Sequence, residues 1–218
     1  MGVGLKNNAV IQTIELLEMS RNYNFHHPIN ASMHYNRAII CLSNAFGIPD
    51  GSFLFYTALE LRICIERLLF EYLVIINVAD EKIETYMKEY RIKNLLNAIY
   101  EAEPEFDKKL EYSNFYLKVI GADFETPIPD KNKLNSLYGK LGNYLHNFKS
   151  PTDSVHNQKW WNIFIQLIEE TKTYLYEFFR VPRAYFQMNE IGLKLYEEYK
   201  NDSIPKEEIT KKILEGYK

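Results

Sequence analysis

One stretch of the sequence, residues 53–77, constrains the fold more than any other. Drawn as a helix, it is apolar around most of its circumference, and its few charges fall in two narrow strips. A helix of this kind needs neighbouring helices on most of its sides, which places it in the middle of a bundle. Ser52 stands directly before this stretch and is expected to cap the N-terminus of the helix.

Helical periodicity recurs through the rest of the chain, and no Asn-Gly or Asp-Gly turn separates two β-rich runs. We therefore predict an all-α protein, with a helical bundle over residues 1–180 and a short C-terminal helical arm over residues 181–218. The predicted helices cover residues 8–22, 31–46, 53–77, two segments of 80–120 divided at Glu103 and Pro104, 134–148, 158–179, and two short segments of the arm separated by residues 201–205.

Composition narrows the functional classes. The formal charge of −3 gives no overall basic field, so a nucleic-acid site has to be a local patch. Cys41 and Cys64 belong to no C-x-x-C pair, and we expect both to be small buried hydrophobes in a reducing compartment. The opening residues lack the pattern of a signal peptide, and charges interrupt the most apolar segment. These features predict a cytoplasmic protein with no membrane partner.

Several chemistries are excluded because their motifs are missing from the sequence. There is no phosphate-binding glycine loop, no G-x-S-x-G elbow and no H-E-x-x-H helix. His26 and His27 have no Asp, Glu or Cys at ligand spacing, so we interpret them as part of a polar loop. The sequence therefore predicts neither a cofactor nor a metal.

The predicted helix 134–148 carries the polar residues that most clearly indicate chemistry. Its apolar side chains recur at i, i+3, i+4 and i+7 and are expected to face inward: Leu134, Leu137, Tyr138, Leu141, Leu145 and Phe148. Lys140, Asn143 and His146 fall on the opposite face. A cation, an amide and an imidazole on one exposed face match the needs of metal-free RNA cleavage, which uses an acid or base and a fixed cation.

Two glycines lie on the flank of the same helix. Gly139 and Gly142 each cost roughly 1 kcal/mol relative to alanine, so the bare backbone there is expected to serve a purpose. Close approach of another helix or of a phosphate would be such a purpose.

Arg62 and Arg67 of the central helix are further candidates for binding. Each is paired at i, i+4 spacing with a carboxylate, Arg62 with Glu66 and Arg67 with Glu71. In the functional interpretation, either arginine binds a phosphate or a carboxylate at an interface. In the structural interpretation, both arginines form ion pairs in narrow hydrated grooves.

The sequence GKLGNYLHNF, following a long apolar helix of the type ALELRICIERLLFEYL, resembles the HEPN superfamily over roughly residues 31–179. Many members carry an R-x(4–6)-H motif on a late helix, and the branch most similar to this chain has approximately R-x-x-G-N-x-x-H. Here the motif extends from Lys140 through Asn143 to His146, so lysine stands where active members place arginine. Lysine keeps the charge but lacks the two-pronged donor that binds phosphate.

The resemblance implies a HEPN-like helical bundle that dimerises and brings two motifs into one RNA-cleaving site, in a toxin–antitoxin or antiphage setting. In that case His146 is the general acid or base, Lys140 binds the phosphate and Asn143 orients the reacting groups. Two alternatives remain open. The protein is a non-catalytic subunit that binds protein partners in a defence complex, or Asn143 and His146 bridge to a neighbouring helix and hold the bundle together.

Overall fold

The regular secondary structure of the described residues is helical. A computed structural model describes residues 30–46, 51–76, 92–146, 157–182 and 188–216. Across these ranges it contains eight helices and no strand, which confirms the predicted all-α fold. The helices are α1 (Ala31–Ala45), α2 (Ser52–Ile76), α3 (Ile92–Ala102), α4 (Phe106–Val119), α5 (Lys131–Leu145), α6 (Gln158–Phe179), α7 (Glu190–Lys200) and α8 (Lys206–Glu215).

Helix α2 lies at the centre of the bundle, as its apolar circumference predicts. It contacts α1, α3, α5 and α6. Leu61, Ile65 and Leu68 have no exposed surface, and they join Leu134 and Leu141 of α5 and Phe164 of α6 in one core. Within the described ranges, no helix combines the length and the apolar character needed to cross a membrane.

Polar contacts fix the orientation of α1 on α2. Glu71 Oε1 accepts a hydrogen bond from the Ala31 amide at 2.8 Å, at the helix N-terminus where backbone donors lack intrahelical partners. His34 Nδ1 lies 2.6 Å from Glu60 Oε2. Cys64 donates to the Ala31 carbonyl at 3.2 Å and is fully buried, as predicted. Glu60 and Glu71, which belong to the same charged strip of α2, therefore both bind residues of α1.

Most predicted helix boundaries agree with the structure to within one or two residues, but α5 differs. It begins at Lys131 because Asp130 caps it, accepting from the amides of Asn132 and Lys133. The prediction for Cys41 was wrong in one respect, since this residue is only partly buried. The predicted helix 8–22, the residues 26–28 and Phe148 lie outside the described residues.

The arm is formed by α7 and α8, which pack on α4. Tyr196 of α7 is buried against Tyr112 of α4, with ring centres 5.6 Å apart. Tyr199 extends this aromatic contact to Phe115 at 5.0 Å, and the Tyr196 hydroxyl donates to Glu105 at 3.1 Å. The division into a bundle and an arm at residue 181 stays a prediction.

Candidate functional site

The three polar residues predicted on α5 are all exposed, but the helix separates them. His146 lies on the flank that faces α2, where its ring contacts Arg62. Lys140 precedes it by six residues, about 120° around the axis, on the flank facing α6. The charge of Lys140 accordingly contributes to lowering the pKa of Glu170 on α6, a shift caused mainly by a hydrogen bond from Lys133. Asn143 points outward between the two flanks.

His146 lies at the C-terminal end of α5. The last helical residue is Leu145, and the amide of His146 donates to the Gly142 carbonyl at 2.9 Å. The imidazole therefore projects from the residue that ends the helix, whereas the predicted range 134–148 placed His146 inside the last turn. The backbone of α5 still determines its position, because the capping hydrogen bond ties it to the last turn.

Arg62 reaches His146 from the middle of α2. Its Nη1 lies 3.2 Å from His146 Nε2, although 84 residues separate the two along the chain. A guanidinium can only donate, so a hydrogen bond in this contact requires the tautomer in which Nε2 accepts and Nδ1 carries the proton. The structure therefore places a fixed cation beside an exposed imidazole.

Tyr138 holds the same guanidinium from the other side. Arg62 Nη2 donates to the Tyr138 hydroxyl at 2.9 Å, and the guanidinium carbon lies 4.3 Å from the centre of the ring. The hydroxyl in turn donates to Glu66 Oε1 at 2.6 Å. Burial raises the pKa of Glu66, while the Tyr138 hydrogen bond and the Arg62 charge act in the opposite direction.

The two glycines of α5 have different surroundings. A Cβ on Gly142 would lie 3.2 Å from Arg62 Nη1 and 3.6 Å from Cζ. The bare backbone at Gly142 thus admits the guanidinium, in agreement with the predicted close approach of another helix. A Cβ on Gly139 would meet nothing within 4 Å, so the space above this residue is open.

Helix α5 carries lysines but no acidic side chain, in a protein of formal charge −3. The helix KNKLNSLYGKLGNYL contains three lysines and no acidic residue. Lys133 is paired with Glu170 at 2.7 Å, and Lys131 lies 5.0 Å from the centre of the Tyr100 ring. Glu170 therefore offsets the charge of Lys133, and Lys131 lies nine residues, about 180° around the helix, from Lys140, so the positive charge of α5 is distributed around the helix.

The structure does not bring Arg67 to this face. It follows Arg62 by five residues, which places it about 140° away around α2. Among the described residues, no group of three or more His, Cys, Asp or Glu side chains is placed to bind a metal ion.

The contact between Arg62 and His146 links α2 to α5, as the structural interpretation of His146 predicts. Its contribution to stability is small, because interactions between exposed polar groups typically contribute about 0–1 kcal/mol. Sequence reasoning assigned Tyr138 to the core and missed its hydroxyl. Its position could have indicated this role, because Tyr138 lies one turn before Gly142 and two turns before His146 on the same flank of the helix.

Searches of protein-family models, curated proteins and solved structures find no match to this chain. The resemblance to HEPN proteins accordingly rests on the sequence itself, on the motif around His146 and the long apolar helix that precedes it.

Proposed function

We propose that this chain is a HEPN-like RNA-binding protein of a prokaryotic toxin–antitoxin or antiphage system, and that it cleaves RNA without a metal. The observation that carries the proposal is the 3.2 Å approach of the Arg62 guanidinium to His146 Nε2, an exposed imidazole at the end of a helix that itself contains no acidic residue. A phosphodiester contains the anion that a guanidinium binds, and RNA supplies its own nucleophile, the 2′-hydroxyl.

The reaction needs two proton transfers and a cationic group that stabilises the negative charge on the phosphoryl oxygens. A base takes the 2′-hydroxyl proton while O2′ attacks phosphorus, and the bond from phosphorus to O5′ breaks as an acid protonates the leaving oxygen. The products are a 2′,3′-cyclic phosphate and a 5′-hydroxyl. His146 in its neutral form has a free Nε2 lone pair for the first transfer once the phosphate takes Arg62 from it.

Arg62, in place of Lys140, is the residue that binds the reacting phosphate in this proposal. A guanidinium offers two parallel donors to the non-bridging oxygens, and Arg62 already lies at the imidazole. Lys140 is on the other flank of α5 and contacts a neighbouring phosphate. Asn143, exposed between them, donates its side-chain amide to a phosphoryl oxygen.

A second copy of the chain is the proposed partner. Leu59 is 41% exposed and precedes Arg62 by one turn of α2, and Tyr56, one turn further, is 57% exposed. Exposed apolar side chains beside a polar site favour a protein interface. In a two-fold dimer built on this surface, the His146 of one copy serves as base and that of the other as acid.

Cleavage of a labelled single-stranded RNA in the presence of EDTA tests the proposal. We expect 2′,3′-cyclic phosphate and 5′-hydroxyl ends, no cleavage of an RNA with a 2′-deoxy residue at the cut site, and a rate reduced about 10²–10⁴-fold by His146→Ala. In cells, expression of the wild-type chain is expected to arrest growth, and expression of His146→Ala is not.

Two results would contradict the proposal. RNA that stays intact with the folded wild-type protein, together with a co-purifying protein partner, would favour the alternative of a non-catalytic subunit. Cleavage that EDTA abolishes would refute the metal-free mechanism. Light scattering of the wild type and of Leu59→Glu tests the dimer separately, with a monomer expected for the variant.

A further inference from the structure

The Arg62 guanidinium is held by side chains to which the proposed reaction gives no role. Tyr138 provides a hydrogen-bond acceptor at 2.9 Å and a ring face at 4.3 Å. Glu66 then binds the Tyr138 hydroxyl at 2.6 Å. The four residues thus form one series of contacts, from Glu66 through Tyr138 and Arg62 to His146.

The direction of these hydrogen bonds depends on Glu66. A tyrosine hydroxyl has one proton, and Glu66 accepts it, so the lone pairs of the oxygen are turned toward Arg62. Without an acceptor at position 66, the hydroxyl proton is free to rotate toward the guanidinium, where a donor would meet a donor. The carboxylate also attracts Arg62: burial raises the pKa of Glu66, and the Arg62 charge partly opposes that rise.

The surrounding structure reinforces one orientation of the guanidinium. Gly142 leaves room for it over the α5 backbone, and a larger residue there would lie within 3.2 Å of Nη1. The ring of Tyr138 is half-buried and is itself packed against the core. An arginine that is otherwise long and flexible is therefore confined near His146 before any ligand binds.

We propose that Glu66, acting through the Tyr138 hydroxyl, is a positioning residue that fixes the Arg62 guanidinium at His146 and thereby sets the affinity of the site for an RNA phosphate. The consequence for RNA rests on the proposed function. The positioning itself does not, because it concerns contacts within the free protein.

The positioning is tested by the ¹⁵N resonance of His146 Nε2, which responds to a hydrogen-bond donor at that nitrogen. Tyr138→Phe and Glu66→Ala are expected to move this resonance toward its position in Arg62→Ala. Glu66→Gln keeps an acceptor for the hydroxyl and is expected to leave it near the wild-type position. For Tyr138→Phe, the imidazole of His34, bonded to Glu60, is an internal control that stays unchanged; it is not a control for Glu66→Ala, because the charges of His34 and Glu66 interact.

The consequence for RNA is tested with a fluorescent single-stranded DNA oligonucleotide, which offers phosphates but cannot be cleaved. Tyr138→Phe is expected to raise its Kd roughly tenfold, the loss of about one charged hydrogen bond. The matched control Tyr144→Phe lies on the same helix, where its ring stacks on Phe164, and is expected to bind as the wild type does. In an Arg62→Ala background, Tyr138→Phe is expected to add nothing.

The outcomes separate the two proposals. An unmoved His146 resonance in folded Tyr138→Phe overturns the positioning role, as does an equal loss of binding in the Arg62→Ala background, which would mean that Tyr138 acts independently of Arg62. An oligonucleotide that does not bind the wild-type protein, beside the expected movement of the resonance, refutes the RNA function and supports the positioning. Melting temperatures of each variant exclude unfolding as the cause.

Discussion

The substitution Gly142→Ala separates stability from function at the site. Alanine is favoured over glycine within a helix by roughly 1 kcal/mol, so the exchange on its own stabilises α5. The new methyl group, however, would lie 3.2 Å from Arg62 Nη1 and 3.6 Å from Cζ, which forces the guanidinium to move by a few tenths of an ångström. Gly139→Ala is the matched control, because its Cβ would meet nothing within 4 Å.

The expected magnitudes follow from these distances. Gly139→Ala should raise the free energy of unfolding by about 0.5–1 kcal/mol. Gly142→Ala should gain the same helical term but lose about 0.5–1.5 kcal/mol as the hydrogen bond from Arg62 to Tyr138 is strained, so its net change should be near zero. Displacement of Arg62 from His146 should nevertheless reduce RNA binding and cleavage about tenfold.

Urea denaturation of both variants and an RNA cleavage assay measure these effects. The reasoning is refuted if Gly142→Ala is as stable as Gly139→Ala and as active as the wild type, because the guanidinium would then not lie over the glycine. A large loss of activity in Gly139→Ala would show instead that the open space above α5 is used by the RNA.

Three further predictions concern other contacts. Burial raises the pKa of Glu66, so its carboxyl group loses its proton at a higher pH in the folded chain than in the unfolded chain. As the pH rises from 4.5 through the raised value, the wild type should therefore lose stability relative to Glu66→Gln. Urea titrations of both proteins across this pH range measure the trend, and parallel curves would contradict it. Tyr196→Ala should destabilise the contact between the arm and α4 by about 3–5 kcal/mol, whereas Ile191→Ala, at a residue 70% exposed, should stay within about 0.5 kcal/mol; equal melting temperatures would refute this packing. His34→Ala leaves the Glu60 carboxylate, 20% exposed, without its partner and should cost about 1–3 kcal/mol, while an unchanged unfolding curve would mean that this contact is not formed in solution.

Much of the fold could be predicted from the sequence because its signals are local. The apolar circumference of α2 predicts its central position, and the proline at position 104 predicts the division between α3 and α4. The range 158–179 was predicted as it stands in α6. The start of α5 was predicted three residues too late, at Leu134, because the apolar periodicity begins there, whereas the side chain of Asp130 caps the helix at Lys131.

The centre of the candidate site could not be predicted in the same way, because it depends on the register between α2 and α5. The sequence paired Arg62 with Glu66 at i, i+4 spacing, yet the Tyr138 hydroxyl bridges these two residues in the structure. The sequence also grouped Lys140 with His146 on one face of α5. In the structure His146 lies on the flank that faces α2, and Lys140 lies on the flank that faces α6. The two glycines of α5 were a local signal, since they predicted close approach of another helix or of a phosphate, and Arg62 of α2 lies over Gly142 but not over Gly139.

The central claim is that Arg62 and His146 together cleave RNA, and single-turnover cleavage rates in EDTA test it most directly. Arg67→Ala is the matched control, since it removes the same side chain from the same helix about 140° away from the site. We expect Arg62→Ala and His146→Ala each to slow cleavage about 100-fold or more, and Arg67→Ala to stay within about threefold of the wild type. Wild-type rates in Arg62→Ala or His146→Ala would contradict the claim.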